Sequence, residues 1–288
     1  MERLVFVGPG RVGLALGYAL AQADAAESLT YYGRREEPPP HPLFIQGLAE
    51  YRYGMERPPG GTTALFLTVP DRALAEIAMT LASRGDAPSG CAAFHCSGAL
   101  GADPLEPLHP RGYRLGTFHP LQAIANSVVG AERLTGSTFA LSGDPEALAV
   151  GRRLISALGG RWIQVPTTGR PLYHAAAVMA SNYVVALLGE AAGLLERLGV
   201  PREDAEHALA SLARGAVEDV GGLGASRALT GPIRRGDTET VALHLRTLGG
   251  RDRELYRLLG RLTLDRVREE LDPEVMEEME GLLGREKR

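Results

Sequence analysis

A glycine-rich turn near the N-terminus most constrains how this chain can fold. The residues Gly8-Pro9-Gly10-Arg11-Val12-Gly13 follow the short apolar run Leu4–Val7 and open a pattern with apolar residues every three or four positions. In a strand–turn–helix setting, the Gly-x-Gly-x-x-Gly spacing is typical of dinucleotide-binding sites. Its glycines permit a tight turn, close approach of the backbone to a pyrophosphate, and close packing of helix on strand. We therefore predict that all six residues of this turn contact a dinucleotide.

The first half of the chain alternates short strand-like runs with helical patterns. The strand-like runs cover residues 4–7, 29–32, 64–69, 91–96, 115–118, 137–141 and 162–165. Helical patterns cover 11–23, 71–82 and 145–158. Residues 36–60 are rich in proline and glycine and predict a long loop, with room for one strand at 43–45. The alternation predicts a doubly wound, mostly parallel Rossmann sheet of the α/β class.

The pattern changes after Pro166, where strand-like runs give way to helical patterns rich in alanine and leucine. These patterns cover about 172–198, 201–219, 237–248, 251–270 and 273–282. A chain of 288 residues has the length of about two domains. We predict a dinucleotide-binding domain over 1–166 and an all-α domain over 167–288 that serves substrate binding and dimerisation.

Composition narrows the classes of function. A formal net charge of −4 gives no overall basic surface for nucleic acid. The seven histidines show neither His-x-His nor His-Glu-x-x-His spacing, so we predict no metal site and disfavour a metal-dependent hydrolase. Among 31 basic residues the one lysine is Lys287, which disfavours Schiff-base chemistry or a lysine general acid.

The apolar segments of the sequence are short, which predicts a cytoplasmic protein that does not insert into a membrane. The run Leu4–Val7 is too short for the core of a signal peptide. The most apolar stretch, 175–189, is interrupted by Ser181-Asn182 and is shorter than the about 20 residues that span a bilayer. We interpret this stretch as a buried helix.

The end of the second strand indicates which dinucleotide binds. An NAD site places a carboxylate about 20 residues beyond the glycines, where it holds the ribose hydroxyls. Here Arg34 and Arg35 stand in that region instead. Because a guanidinium binds a phosphate in a bidentate fork, we predict NADP as the cofactor. The alternative is a solvated charge pair.

The residues Thr68-Val69-Pro70-Asp71, at the end of the strand predicted over 64–69, also lie at a carboxyl strand end. We expect Val69 and Pro70 to border the cofactor, since ligands of doubly wound sheets bind at that edge. The next residue, Asp71, better fits the N-cap of the following helix.

Polar clusters at two further strand ends and on the first long helix are candidates for the chemistry. We predict His119 and His174 as catalytic, since histidine titrates near neutrality, with Ser97 and Asn182 orienting them. On one continuous helix His174 and Ser181 share a stripe, seven residues apart, and we assign Ser181 to substrate binding. The alternative is a hydrogen-bonded core network at the domain interface.

A turn at residues 229–238 leads into the helix that contains His244. Asp237 is a good N-cap for that helix. We predict that Arg234 and Arg235 bind a carboxylate or phosphate of the substrate. The alternative is a structural loop.

Taken in order, these motifs resemble a known superfamily. It includes pyrroline-5-carboxylate reductase, 6-phosphogluconate and prephenate dehydrogenases, and deazaflavin-dependent NADP oxidoreductases. Within it, the chain is most similar to a family with a Rossmann-like domain followed by a helical domain of unknown function. The resemblance implies an NADP-binding oxidoreductase, dimerisation through the helical domain, and a site between the domains. Prephenate dehydrogenases have a similar serine and His-Pro, which implies a Ser97–His119 pair.

Two functions from different classes follow. The first is an NADP(H)-dependent oxidoreductase that transfers a hydride to or from a small, anionic substrate in an interdomain cleft. The second is a sensor or scaffold protein that binds NADP without turnover. In both we expect a homodimer that binds neither nucleic acid nor a membrane.

Overall fold

The computed structural model describes residues 1–284, and these form one large sheet with helices, followed by a helical region. The strands are β1 (Glu2–Val7), β2 (Ala26–Gly33), β3 (Glu50–Tyr53), β4 (Ala64–Leu67), β5 (Ala92–His95), β6 (Arg114–Pro120), β7 (Thr138–Gly143) and β8 (Arg161–Gln164). The helices are α1 (Arg11–Gln22), α2 (Pro42–Ile45), α3 (Leu74–Ser83), α4 (Ser127–Leu134), α5 (Pro145–Ala157), α6 (Arg170–Ala180), α7 (Asn182–Glu196), α8 (Arg202–Leu223), α9 (Ala225–Ala228), α10 (Thr238–Thr247), α11 (Gly250–Val267) and α12 (Pro273–Leu283). The predicted fold class is confirmed.

The sheet has the strand order β3-β2-β1-β4-β5-β6-β7-β8. Every neighbouring pair is parallel except β6 and β7, which are antiparallel. The carboxyl ends of β2, β1, β4, β5 and β6 therefore lie side by side at one edge, where open α/β sheets bind their ligands.

Apolar packing on both faces explains why the central strands read as continuous apolar runs. Along β1, Leu4 and Phe6 face the layer that contains α1, α4 and α5, and Val5 and Val7 face the layer that contains α3. All four side chains are at most 5% exposed. Burial of each contributes about 1.5–3 kcal/mol to folding, so both helical layers are firmly attached.

Tyr31 ties the start of α1 to the sheet. Its hydroxyl donates a hydrogen bond of 2.8 Å to the Gly13 carbonyl. A Cβ at Gly17 would lie only 1.8 Å from the Tyr31 Oη atom. The glycine spacing of α1 therefore continues past the turn, because the helix must pass close over a tyrosine of β2.

The structure corrects the sequence prediction in the 36–60 region. Residues 42–45 form the short helix α2 rather than a strand, because His41 Nδ1 accepts a hydrogen bond from Leu43 N and Pro42 occupies the first turn. A strand does occur nearby as β3, which pairs with β2 at the sheet edge. The helix α4 and a 3₁₀ segment at Asp103–Arg111 also lie in regions for which the sequence predicted no element.

Backbone contacts divide the chain into two units, Met1–Ser181 and Asn182 onward. The domain boundary predicted from the sequence, after Pro166, follows the last strand, whereas the boundary between these two units follows α6. The reason lies in Arg170, which is buried in the first unit and hydrogen bonded to Ser97 and Leu100.

The second unit has a small apolar core of its own. Helices α10, α11 and α12 supply its buried residues, together with Ile233 in the preceding turn. Its fully buried side chains are Val241, Val267, Met279 and Leu283. Helix α7 packs along α8.

The segment Thr167–Glu196 is more exposed than the sequence indicated. It is long and apolar enough to cross a membrane, and only 6% of its apolar window is buried. The prediction of a buried helix was therefore wrong. The helical pattern is also interrupted at Ser181, where φ is −125° and ψ is −75°. Ser181 thus ends α6 and does not continue a stripe with His174.

Candidate functional site

The glycine-rich turn has a shape that only glycine allows at its first and last positions. Gly8 has a φ of +97°, and a Cβ there would lie 2.8 Å from Val69 Cγ1. A Cβ at Gly13 would lie 2.3 Å from Thr68 Oγ1. At Gly10, by contrast, the nearest atom would be 3.5 Å away, and the residue is exposed. The backbone at Gly10 is therefore open to a ligand while the rest of the turn is packed.

Thr68, one of the residues expected at this strand end, holds the turn in place. Its hydroxyl donates to the Gly8 carbonyl at 2.6 Å, and its backbone N–H donates to the Val7 carbonyl at 2.9 Å. The next two residues are Val69, which packs against Gly8, and Pro70, which precedes a 3₁₀ turn. A threonine directly after a strand was the available signal.

Arg34 and Arg35 lie just beyond the end of β2 and beside the glycine-rich turn. The Gly8 N–H donates to the Tyr32 carbonyl at 2.9 Å, which joins the two segments. Tyr51 Oη donates to the Arg35 carbonyl at 2.6 Å and fixes the backbone of the pair. Both arginine side chains are exposed, and within residues 1–284 neither has an ion-pair partner. Two exposed arginines without an ion-pair partner among residues 1–284 therefore follow the strand that is hydrogen bonded to the turn.

The loop of residues 96–101, here the Ser97 loop, follows β5 and is shaped by His95. The fully buried His95 accepts from Ser97 N at its Nδ1 and donates from Nε2 to the Gly101 carbonyl at 2.6 Å. Burial lowers the pKa of His95, so its ring is neutral in this role. His95 thus has a structural function at the base of the loop.

Ser97 bonds to Asp71 and not to His119. Its hydroxyl donates to Asp71 Oδ2 at 2.8 Å and accepts from Leu100 N at 3.3 Å. The implied Ser97–His119 hydrogen bond is therefore absent from this structure. Asp71 does not cap the helix as predicted, since its carboxylate accepts the serine hydroxyl and Pro70 occupies the cap position.

Arg170 places a buried positive charge beneath the Ser97 loop. Its Nη2 donates to the Ser97 carbonyl at 2.6 Å, and its Nε donates to the Leu100 carbonyl at 3.2 Å. Nη1 is buried without a hydrogen-bond partner, and no carboxylate among the described residues pairs with this guanidinium. Burial lowers the pKa of Arg170, because removing a cation from water is unfavourable. A single arginine at the start of an apolar helix was the sequence signal for it.

His119 and His174 meet at Gly98. Their ring centroids are 6.1 Å apart. A Cβ at Gly98 would lie 2.9 Å from His119 Nε2 and 2.4 Å from His174 Nδ1. Tyr173 Oη lies 2.6 Å from His119 Nδ1. The structure thus brings together both predicted histidines and adds Tyr173, and all of them lie within the first unit.

The electrostatic environment keeps His119 uncharged. Burial, followed by the positive charge of Arg170, lowers the pKa of His119 to about 4. The expectation of a histidine that titrates near neutrality therefore does not hold at this position. The pKa of His119 differs from the expected value because of tertiary contacts, since the nearby cation, Arg170, comes from α6.

The remaining predicted site residues are Ser181, at the end of the first unit, and Asn182, Arg234 and Arg235, in the second unit. Asn182 begins α7 in the second unit with an exposed side chain. Arg234 pairs with Glu270 at 2.8 Å and donates to the Ser226 carbonyl, whereas Arg235 is largely exposed and lies 4.0 Å from Asp237. Asp237 caps α10 as predicted. Substrate binding by Ser181, Arg234 and Arg235 stays a prediction.

Comparison with known proteins identifies part of the chain. Residues 137–263 match DUF2520, a domain of unknown function. No curated protein matches the sequence. The predicted likeness to proteins with a helical domain of unknown function is thereby confirmed.

Solved structures share the whole fold. A Thermotoga maritima protein is 22% identical, with a TM-score of 0.72 over 93% of this chain and 99% of its own. A candidate NADP oxidoreductase from Bacteroides fragilis is 23% identical, with a TM-score of 0.68 over 92% and 98%. Plasmodium falciparum pyrroline carboxylate reductase with bound NADP is 14% identical, with a TM-score of 0.57 over 98% and 95%. These likenesses confirm the predicted Rossmann-like fold with its helical C-terminal region.

The lowered pKa of His119 predicts a pH dependence of stability. Between about pH 4 and 6.5 the unfolded chain binds a proton at this residue that the folded chain does not. The free energy of unfolding should therefore fall as the pH is lowered through this range. In urea denaturation, His119→Gln should show a shallower fall than the wild type.

A matched control is His207→Gln, since His207 is an exposed histidine on α8. It should keep the wild-type dependence, because the variant leaves the His119 ring and its surroundings unchanged. Equal slopes for wild type and His119→Gln would contradict the prediction.

Proposed function

We propose that this protein is an NADP(H)-dependent oxidoreductase that transfers a hydride to or from a small, anionic substrate. One observation carries the proposal. The glycine-rich turn, the arginine pair, the Ser97 loop and His119 follow or end strands whose carboxyl ends lie at the same edge of one sheet, and His174 of α6 meets His119 there. This is where doubly wound sheets bind dinucleotides.

The residues of the turn fit such a cofactor. The first N–H groups of α1 and the open backbone at Gly10 would hold the pyrophosphate. Arg34 and Arg35 would hold the additional phosphate that distinguishes NADP from NAD. When bound, the nicotinamide supplies or accepts the hydride. The similar structures support this assignment, since one is a candidate NADP oxidoreductase and another holds NADP.

The histidine cluster, His119 and His174, would supply the proton that must accompany hydride transfer. When a hydride reaches the carbon of a C=O or C=N bond, the electron pair of that bond moves to the oxygen or nitrogen, which then needs a proton. His119 and His174 stand together at the sheet edge to interact with that atom. The uncompensated charge of Arg170 favours an anionic substrate, because a buried cation is stabilised by a nearby negative charge.

Turnover tests the oxidoreductase assignment. Purified protein should oxidise NADPH, measured by loss of its fluorescence, with at least one member of a panel of keto acids and imines. His174→Gln should lower kcat about 10²- to 10⁴-fold, because a positioned proton donor is lost. His207→Gln is the control, since that ring is exposed on α8. Binding of NADPH without oxidation across the panel would favour the sensor instead.

The affinities of the protein for NADPH and NADH test whether Arg34 and Arg35 bind the additional phosphate of NADP. The double variant Arg34→Ala, Arg35→Ala should bind NADPH about 10 to 100 times more weakly, since a hydrogen bond to a charged group contributes about 1.5–3 kcal/mol. Its affinity for NADH should stay the same. Isothermal calorimetry with both cofactors measures the difference.

The control is Arg84→Ala, Arg114→Ala, which removes the same charge. Both residues are exposed, and they lie at the end of α3 and the start of β6, hence at the opposite edge of the sheet. Equal losses for NADPH and NADH in the Arg34, Arg35 variant would refute selection of NADP by this pair.

We also propose a homodimer formed through the helical unit. Large apolar side chains stand exposed on α7 and α8, namely Tyr183, Val185, Leu187, Leu212, Val217, Val220 and Leu223. Exposed large apolar side chains in such number are typical of subunit interfaces. A second copy would cover it and leave the protein soluble.

Sedimentation tests the dimer. Wild-type protein should sediment as a dimer, and Val217→Glu should raise the dissociation constant by about tenfold or more, because a charge would be buried without a partner. Met79→Glu is the matched control, since Met79 is 56% exposed and Val217 is 62% exposed, but Met79 lies on α3 of the first unit. A monomeric wild type would overturn the proposal.

A further inference from the structure

The two histidines at Gly98 differ in what their ring nitrogens contact. His119 Nδ1 lies 2.6 Å from Tyr173 Oη, whereas His119 Nε2 has no hydrogen-bond partner in the described part of the chain. His174 Nδ1 is buried and has no partner there either. Tyr173 therefore holds the His119 ring at Nδ1, whereas no described protein group holds the His174 ring at its Nδ1.

The hydrogen bond between Tyr173 and His119 has one favoured direction. Tyr173 Oη has no other acceptor among residues 1–284, so donation from His119 would leave the phenolic hydrogen unpaired in a half-buried place. A phenol donates more readily than it accepts, and an unprotonated ring nitrogen is a good acceptor. The Arg170 guanidinium lies 5.2 Å from the centre of the Tyr173 ring and makes that phenol a still better donor.

The charges around His119 oppose its protonated form. The groups that face it are Arg170 and Tyr173 from α6, His174 from the same helix, and His95 from β5. The carboxylate of Asp71 is engaged with Ser97. Burial raises the pKa of Tyr173 to about 12, so at neutral pH a protonated phenol faces a neutral imidazole.

We infer that Tyr173 fixes His119 in the tautomer with its proton on Nε2, so that His119 acts as a hydrogen-bond donor and His174 is the residue that exchanges a proton. Tyr173 is thus a positioning residue that acts through His119. The assignment of roles to the two histidines rests on the proposed oxidoreductase function, whereas the tautomer does not.

The step balances in the direction of reduction. A hydride from a reduced nicotinamide dinucleotide forms a C–H bond at the carbon of a C=O or C=N group, and the π pair moves to the oxygen or nitrogen. The Nε2–H of His119 donates a hydrogen bond to that atom and keeps its proton. His174 takes up one proton from solvent and passes one to the same atom, so its own protonation is unchanged at the end of the step. The dinucleotide leaves oxidised by two electrons.

Nuclear magnetic resonance of protein labelled with ¹⁵N in its seven histidines tests the tautomer without any cofactor. The signals of His119 are those missing from His119→Gln. In wild type we expect unprotonated Nδ1 and protonated Nε2 from roughly pH 5 to 8. In Tyr173→Phe the ring should sample both tautomers and its pKa should rise, because the donor that stabilised the neutral form is lost.

Tyr256→Phe is the matched control. Tyr256 makes the equivalent contact with His244 Nδ1, at 2.9 Å, in the second unit. Its loss should change the signals of His244 and leave those of His119 unchanged.

Two results would overturn the inference. One is a wild-type His119 with its proton on Nδ1, or doubly protonated at neutral pH, and this needs no variant to fold. The other is a folded Tyr173→Phe protein whose His119 signals match the wild type. Titration of NADPH into the same sample tests the proposed function separately. Failure of the tautomer assignment can therefore be distinguished from failure of the proposed function.

Discussion

The common direction of β2, β1, β4, β5 and β6 is the constraint on which the rest of the site depends. Parallel strands need crossovers outside the sheet, so the residues that follow each strand are delivered to the same edge. The glycine-rich turn, the arginine pair, the Ser97 loop and His119 all follow or end these strands. Apolar burial on both faces makes that edge rigid, which suits a site that must hold two reactants in fixed relation.

Arg170 gives the edge its electrostatic character. Its guanidinium is completely buried, clamps two carbonyls of the Ser97 loop, and has no carboxylate partner among the described residues. The same charge helps to keep His119 neutral and strengthens Tyr173 as a donor. Positioning of the loop, the proposed tautomer of the histidine and the proposed preference for an anionic ligand thus have one physical origin. The cost of burying this cation is offset when a negative charge arrives.

The helical unit differs from the sheet in how much of its apolar surface is buried. Its small core joins α10, α11 and α12, whereas α7 and much of α8 expose apolar side chains to solvent. We propose that a second copy of the chain covers these side chains. The sequence pattern of α7 resembles that of a buried helix because both kinds of helix need an apolar partner, and periodicity does not reveal whether the partner lies in the same chain.

The sequence by itself determined the glycine-rich turn, most of the alternating strands and helices, and the change to an all-α region, because these depend on local spacing and apolar periodicity. It also placed Ser97 and His119 among the candidates, since strand ends share an edge, and His174, as a polar residue on an apolar helix. Only the tertiary structure decided that Ser97 bonds to Asp71, that Tyr173 holds His119, and that Arg170 is buried beneath them. Those contacts join residues 26 to 73 positions apart, and at such separations hydrogen bonding and desolvation depend on packing that local sequence does not encode.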